Sequence, residues 1–179
     1  MQTYKVKRIE NIEIKRKQLF RNKVEIQEQI SYHEIEIGDD YLEYKYRFET
    51  DEEDEIEVFK MRFKNIQKIF YDKVKNSLYI CFTYTEEDYK DMMRHQPFCE
   101  DLIDDFEEED LFEHMYIDNM FKLDLVKFFK SIGLKVNDSQ NELTKEEKSN
   151  KEFDEKRFGK DIYSNKLERK VLSRKIEYL

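Results

Sequence analysis

The stretch that decides the fold class is residues 41–48, YLEYKYRF, in which Leu42, Tyr44, Tyr46 and Phe48 alternate with polar residues. A period of two places the apolar side chains on one face of an extended chain and the polar ones on the other, which is typical of a half-buried β-strand. The stretch therefore predicts a strand, and similar segments around it predict a sheet.

Working outward, residues 56–63, 69–71 and 78–84 are also strand-like, and short polar connections rather than helices separate them. This order predicts an antiparallel meander within about residues 1–85. Residues 1–35 leave two alternatives open. Pairs such as Ile12/Ile14 and Val24/Ile26 alternate like strands, whereas the Lys, Gln, Glu and Arg between them favour a helix; we favour the strands.

After Thr85 the apolar period becomes helical. Cys99, Leu102, Ile103 and Phe106 stand at i, i+3, i+4 and i+7, which is the stripe of an amphipathic helix. A further helix is expected from Phe121 to Ile132, ending at Gly133 because glycine tolerates the left-handed conformation that often follows a helix. The sequence thus predicts an α+β fold: an antiparallel sheet over about 1–85, a helical layer over about 86–133, and a C-terminal helical extension.

The expected domain organisation follows from composition along the chain. Residues 1–136 are predicted to form the α+β core domain, residues 137–150 (NDSQNELTKEEKSN) a polar linker, and residues 151–179 the helical extension. The 12 Tyr and 14 Phe supply enough apolar area for a core although 42% of the residues are charged.

Several classes of protein do not fit the composition. No apolar run approaches the roughly 20 residues of a membrane span, and the N-terminus has no apolar segment of the signal-peptide type. The two cysteines and three histidines lack the spacing of a zinc site. We therefore expect no metal, no cofactor, no catalytic site and no membrane partner, and a location in the cytoplasm of a bacterial or phage-infected cell.

The most informative feature is negative charge, which is concentrated in one region. Residues 86–118 hold 14 acidic and two basic residues, a net charge of −12, while the whole chain carries −9 and the remainder therefore +3. If residues 100–118 formed a helix, its ten carboxylates would follow one another at roughly 2.8 Å along an axis of about 28 Å. DNA carries one phosphate per about 3.4 Å of each strand.

This density predicts a phosphate-mimicking surface that binds a cationic, nucleic-acid-handling protein such as an effector nuclease. The carboxylates expected to face outward there are Glu100, Asp101, Asp104, Asp105, Glu107, Glu108, Glu109, Asp110 and Glu113. In character, an acidic α+β chain without catalytic motifs resembles small phage-encoded inhibitors of defence nucleases, anti-CRISPR proteins among them. The net charge argues against direct nucleic-acid binding, and homo-oligomerisation stays open.

Two alternatives remain. Asp39 and Asp40, followed by Glu43 and Lys45, resemble the acid and Glu-x-Lys arrangement of restriction-type nucleases, in which carboxylates hold Mg²⁺. In so charged a chain this pattern also arises by chance, and the polar face of a strand already explains it.

The second alternative is an assembly subunit, in which acidic surfaces pair with the basic residues near both ends of another copy.

Overall fold

The computed structural model describes residues 1–52, 55–95, 103–138 and 167–179. Within these ranges the chain is mostly antiparallel β-sheet with two α-helices, so the coarse α+β expectation is confirmed. The strands are β1 (Gln2–Lys17), β2 (Asn22–Ile37), β3 (Tyr41–Phe48), β4 (Glu57–Arg62), β5 (Ile66–Asp72), β6 (Ser77–Thr83), β7 (Phe112–Asp118) and β8 (Leu167–Tyr178). The helices are α1 (Glu86–Arg94) and α2 (Leu125–Ser131), and 3₁₀ turns form at Phe63–Asn65 and Glu108–Leu111.

The strands form two sheets. The first has five strands in the order β4-β3-β2-β1-β8, and the second has three in the order β5-β6-β7. Strands β1 to β4 follow one another as an antiparallel meander, but the prediction of one sheet over about 1–85 is wrong, because β5 and β6 pair with β7 in the second sheet. The strand interpretation of the N-terminal residues is confirmed, because β1 and β2 pair continuously from Gln2↔Ile37 to Lys17↔Asn22.

One hydrophobic core joins both sheets and α2. Alternation in the first sheet buries Ile35 and Leu42, and alternation in the second buries Ile80 and Ile117 within the same cluster. Helix α2 adds Leu125 and Phe129, which are four residues apart and therefore lie on one face of the helix.

The β1–β2 hairpin extends beyond this core as an arm, which we define as residues 12–28. On β2 every residue from Asn22 to Glu28 is exposed, and Ser31 is the first buried one. At about 3.3 Å per residue, the seven exposed residues extend roughly 23 Å. Strand β8 pairs with β1 from Val6↔Tyr178 to Arg16↔Leu167 and so continues along the arm.

The helical layer predicted for residues 86–133 is correct at its two ends. Helix α1 begins after Thr85, whose hydroxyl accepts a hydrogen bond from the Asp88 amide at 3.1 Å. Helix α2 occupies Leu125–Ser131, which is shorter than predicted because Asp124 caps it and leaves Phe121 before its start. Gly133 has a φ of +87°, as expected of the residue that ends the helix.

The middle of that layer was predicted wrongly. Residues 96–102 lie outside the described ranges, but Glu108–Leu111 is a 3₁₀ turn and Phe112–Asp118 is strand β7. Leu111, Phe112 and Met115 fit a helical period, yet Met115 and Ile117 fit a period of two equally well. Pairing with β6 decides between the periods, since it supplies β7 with a ladder of backbone hydrogen bonds.

The prediction of a C-terminal helix is also wrong over Leu167–Tyr178, because these residues form β8. The spacing of Val171, Leu172 and Ile176 suits an isolated amphipathic helix, but without β8 the outer edge of β1 would be unpaired along most of its length. Residues 139–166, which include most of the predicted linker, lie outside the described ranges, and the domain boundaries stay a prediction. No described helix is both long enough and apolar enough to cross a membrane.

Candidate functional site

The predicted binding surface centres on the segment between α1 and β7, and we call residues 104–110 the acidic loop. Phe106 anchors the loop on α1, with its ring centroid 5.2 Å from that of Tyr89. At the other end the backbone closes on itself: the Asp110 amide donates to the Glu107 carbonyl at 3.0 Å, and the Glu107 amide donates to the Asp110 carboxylate at 2.9 Å. The loop therefore has a defined conformation although its side chains face solvent.

The six carboxylates of the acidic loop are all exposed: Asp104, Asp105, Glu107, Glu108, Glu109 and Asp110. Among the described basic residues, Lys90 is the one within ion-pair distance, with its Nζ 3.7 Å from Asp104. The Asp104 side chain is nonetheless 90% exposed, so this contact is weak. Residues 104–110 carry a charge of −6, and Lys90 on α1 brings the sum to −5.

The shape of this surface differs from the predicted ridge of about 28 Å. Consecutive residues of a 3₁₀ turn point about 120° apart, so Glu108, Glu109 and Asp110 project in different directions. Consecutive residues of such a turn are also separated by a rise of only about 2.0 Å along its axis. The three carboxylates therefore form a compact negative protrusion instead of a stripe along one helix face.

The other three predicted residues are Glu113, Glu100 and Asp101. Glu113 is half-buried on β7, where it alternates in phase with the buried Met115 and Ile117. Its charge contributes to raising the pKa of the buried Tyr84, after the larger effect of burial itself. Glu100 and Asp101 lie outside the described residues.

Two exposed aromatic rings lie on strand β7, which follows the acidic loop. Phe112 and Tyr116, on the outer face of β7, are 48% and 46% exposed. The Tyr116 ring packs against Tyr79 at a centroid distance of 4.8 Å, and His114 stands between the two exposed rings on the same face. The surface next to the loop is therefore partly apolar as well as negatively charged.

Two carboxylates of the nuclease alternative, Asp40 and Glu43, are paired with cations of the chain. The Asp40 carboxylate accepts from Arg62 at 3.0 Å, and Glu43 pairs with Lys45 at 3.1 Å. Arg62 also binds Asp88 at 2.8 Å. Burial of Asp88 would raise its pKa, but the hydrogen bonds and charge of Arg62 lower it overall. Among the described residues, no three His, Cys, Asp or Glu side chains converge as a metal site would require.

A buried polar chain, which the sequence analysis missed, runs through the first sheet. The His33 ring bonds Ser31 Oγ through Nε2 at 2.7 Å and Tyr44 Oη through Nδ1 at 2.6 Å. A serine–histidine pair suggests acyl transfer, but Ser31 and His33 are only 1% and 4% exposed, so burial favours a structural role for the pair. Burial, followed by the charges of Arg8 and Arg174, lowers the pKa of His33 to about 3, so the ring is neutral.

Arg8 and Arg174 belong to an ion cluster that links the two sheets. Glu10 accepts from Arg174 at 3.0 Å and lies 3.0 Å from Arg8 Nε. Asp118, at the end of β7, binds Arg8 at 2.5 Å and lies 3.4 Å from Arg174. The signal in the sequence is that Arg8 and Glu10 are in phase with the inward-facing Val6 and Ile12.

The sequence analysis also missed Leu19 and Phe20, which occupy the end of the arm beside a cluster of basic residues. They are 96% and 98% exposed.

No protein-family model, curated protein or solved structure matches this chain.

Proposed function

We propose that this chain is a non-enzymatic binding protein that occupies the cationic nucleic-acid groove of a partner, with the acidic loop in place of phosphates. The observation that carries the proposal is the set of six exposed carboxylates within residues 104–110, of which Asp104 alone has a described basic partner. The partner is a nucleic-acid-handling protein such as an effector nuclease. The chain resembles phage-encoded anti-defence inhibitors in this respect, and acts without a metal or cofactor.

A cationic groove suits the acidic loop for two reasons. Lys and Arg side chains aligned for phosphates repel one another, and a rigid acidic protrusion offsets that repulsion as nucleic acid does. Hydrogen bonds between guanidinium or ammonium groups and carboxylates are also among the stronger ones in proteins. Because Glu107 and Asp110 fix the backbone of the loop, little conformational entropy is lost on binding.

The experiment compares partner capture by three forms of the chain. In the test variant Asp104, Asp105, Glu108 and Glu109 become Asn or Gln, and the bonds between Glu107 and Asp110 stay intact. The control makes an equal change of charge elsewhere, with the exposed residues Asp39, Glu49, Glu52 and Glu55 converted in the same way. Each form is immobilised and exposed to a bacterial lysate, with and without a DNA oligonucleotide as competitor.

The wild type and the control should retain the same partner, DNA should displace it, and the test variant should bind at least about tenfold more weakly. Thermal unfolding should show that both variants keep the fold. Retention of the partner by the test variant, or failure of DNA to displace it, would contradict the proposal.

A further inference from the structure

The end of the arm has a composition that sets it apart from the rest of the chain. We call residues 15–24 the arm tip. Lys15, Arg16, Lys17, Arg21 and Lys23 give it five positive charges, and it contains no acidic residue. Since the whole chain carries −9, all other residues together carry −14. The arm tip is a positive, partly apolar end on a strongly negative protein.

Turn formation does not explain the two apolar residues at its end. Gln18 N donates to Arg21 O at 3.0 Å, so Leu19 and Phe20 are the central residues of a two-residue hairpin turn. Such turns favour Gly, Asn and Asp, which tolerate positive φ or bond their own backbone. Among the described non-glycine residues positive φ occurs at Asn76, so neither Leu19 nor Phe20 adopts it. Two large apolar side chains fully in solvent indicate a contact surface.

We propose that the arm tip docks on a second copy of this chain, on the acidic loop and the neighbouring rings of Phe112 and Tyr116. Both properties of the arm tip have a counterpart there. Five cations meet the six carboxylates of residues 104–110, and Leu19 and Phe20 meet aromatic rings that are half exposed in a single copy.

A phosphate backbone matches only part of this surface. It would attract the five cations, but it offers Leu19 and Phe20 no apolar surface unless bases unstack. A second copy supplies anionic and apolar groups side by side, and it is present wherever the chain is. An anionic bilayer would also match both properties, so the experiment includes it as a separate outcome.

The length of the arm makes this contact compatible with the negative charge of both copies. On β2 the exposed part of the arm is roughly 23 Å long, whereas exposed charges are screened over about 8 Å at physiological ionic strength. Repulsion between the two acidic bodies is therefore largely screened while tip and loop are in contact. The surfaces that meet are different, so the contact is heterologous, from the tip of one copy to the loop of the next.

This inference goes beyond the proposed function, although the two share the acidic loop. Self-association and partner binding should compete, because both cover the same carboxylates. Substitutions in the arm tip leave the loop intact, so they test self-association without removing the surface proposed for the partner. Failure of one proposal therefore does not entail failure of the other.

The first measurement is sedimentation of the full chain in about 0.1 M and about 1 M NaCl, between which the screening length falls from about 10 Å to about 3 Å. Wild type should self-associate at the lower salt and dissociate at the higher. The variants R21E/K23E and L19S/F20S should each weaken association at least about tenfold. The control K64E/K135E makes the same change of charge at exposed sites outside the arm and should associate like wild type.

A charge exchange provides the decisive test. R21E/K23E lowers the charge of the tip from +5 to +1, and E108K/E109K lowers the charge of the loop from −6 to −2, so each variant alone should associate at least about tenfold more weakly than wild type. A mixture of the two variants should associate again, because the unchanged arm tip of E108K/E109K meets the unchanged acidic loop of R21E/K23E, whereas the quadruple variant should not associate with itself. This recovery requires the tip and the loop to be in contact.

Three results would overturn the proposal. Wild type could remain monomeric at low salt, association could survive both reversals, or the mixture could fail to recover. Binding of the monomer to anionic phospholipid vesicles or duplex DNA, lost in L19S/F20S and R21E/K23E, would assign the arm tip to lipid or nucleic acid instead.

Discussion

Replacing His33 with Gln tests the physical account of the first sheet. The ring is held neutral between Ser31 and Tyr44, and its pKa in the folded protein is about 3. In the unfolded chain a histidine has a pKa of about 6.5. Protons therefore bind the unfolded state first as the pH falls, and the folded state loses stability through the window from 6.5 down to 3.

The size of this loss of stability follows from the thermodynamic linkage between proton binding and unfolding. Each pH unit within the window costs about 1.4 kcal/mol, so lowering the pH to about 5 should remove roughly 2 kcal/mol from the free energy of unfolding. The carboxylates act at lower pH. Asp88 and Asp124 have folded-state pKa values below their usual 3.8, so their stabilisation is lost as the pH falls from near that value. The loss of stability between about pH 7.5 and about pH 5 is therefore compared in wild type and in H33Q, and the difference between the two losses gives the contribution of His33.

Urea denaturation at the two pH values measures the effect. The H33Q variant should lose less than about 0.5 kcal/mol on acidification because Gln does not titrate, although disturbed hydrogen bonds should cost it about 1–3 kcal/mol at both pH values. The control H95Q, at an exposed position, should keep the wild-type pH dependence. An equal loss on acidification in wild type and H33Q would refute the assignment of a neutral, desolvated ring.

Three further substitutions test the packing and the backbone. Glu10→Gln should cost about 3–5 kcal/mol in urea denaturation, because it leaves Arg8 and Arg174 with one carboxylate between them; a cost below about 1 kcal/mol would contradict this role. Phe129→Ala should cost about 3–5 kcal/mol, since the ring is fully buried in the shared core; a cost typical of surface sites would show that α2 does not pack there. Gly133→Ala should lower stability by about 1 kcal/mol through its φ of +87° alone, because a Cβ there meets no atom within 4 Å; an unchanged unfolding midpoint would refute the strain.

The parts of the fold that could be predicted are those where one period dominates. Alternation in YLEYKYRF gave β3, and the cap at Thr85 with the glycine at 133 located an end of each helix. Strands β7 and β8 could not be predicted because their apolar residues fit both periods. Their conformation depends on the free edges of β6 and β1, which are distant in sequence.

The candidate site, like the fold, could be predicted from the sequence only in part. That residues 104–110 are acidic and exposed follows from composition, since so many adjacent carboxylates cannot be buried. That they form a compact protrusion depends on the 3₁₀ turn, which the helical interpretation missed. The ion cluster of Arg8 and Glu10 was missed because charged residues on a strand are normally assigned to the solvent face, although their phase with Val6 placed them inside.

The arm contains two kinds of apolar residue: some are buried and contribute to folding, and others are exposed. Ile12 and Ile14 are buried on β1, whereas Val24 and Ile26 on the paired strand remain exposed together with Leu19 and Phe20. A single copy gains almost nothing in stability from Leu19 and Phe20, which are 96% and 98% exposed, since burial is what makes an apolar residue stabilising. Polar replacements of Leu19 and Phe20 should therefore change the unfolding midpoint little while changing self-association strongly. If the same replacements unfolded the protein, Leu19 and Phe20 would be required for the fold and would not form a docking surface.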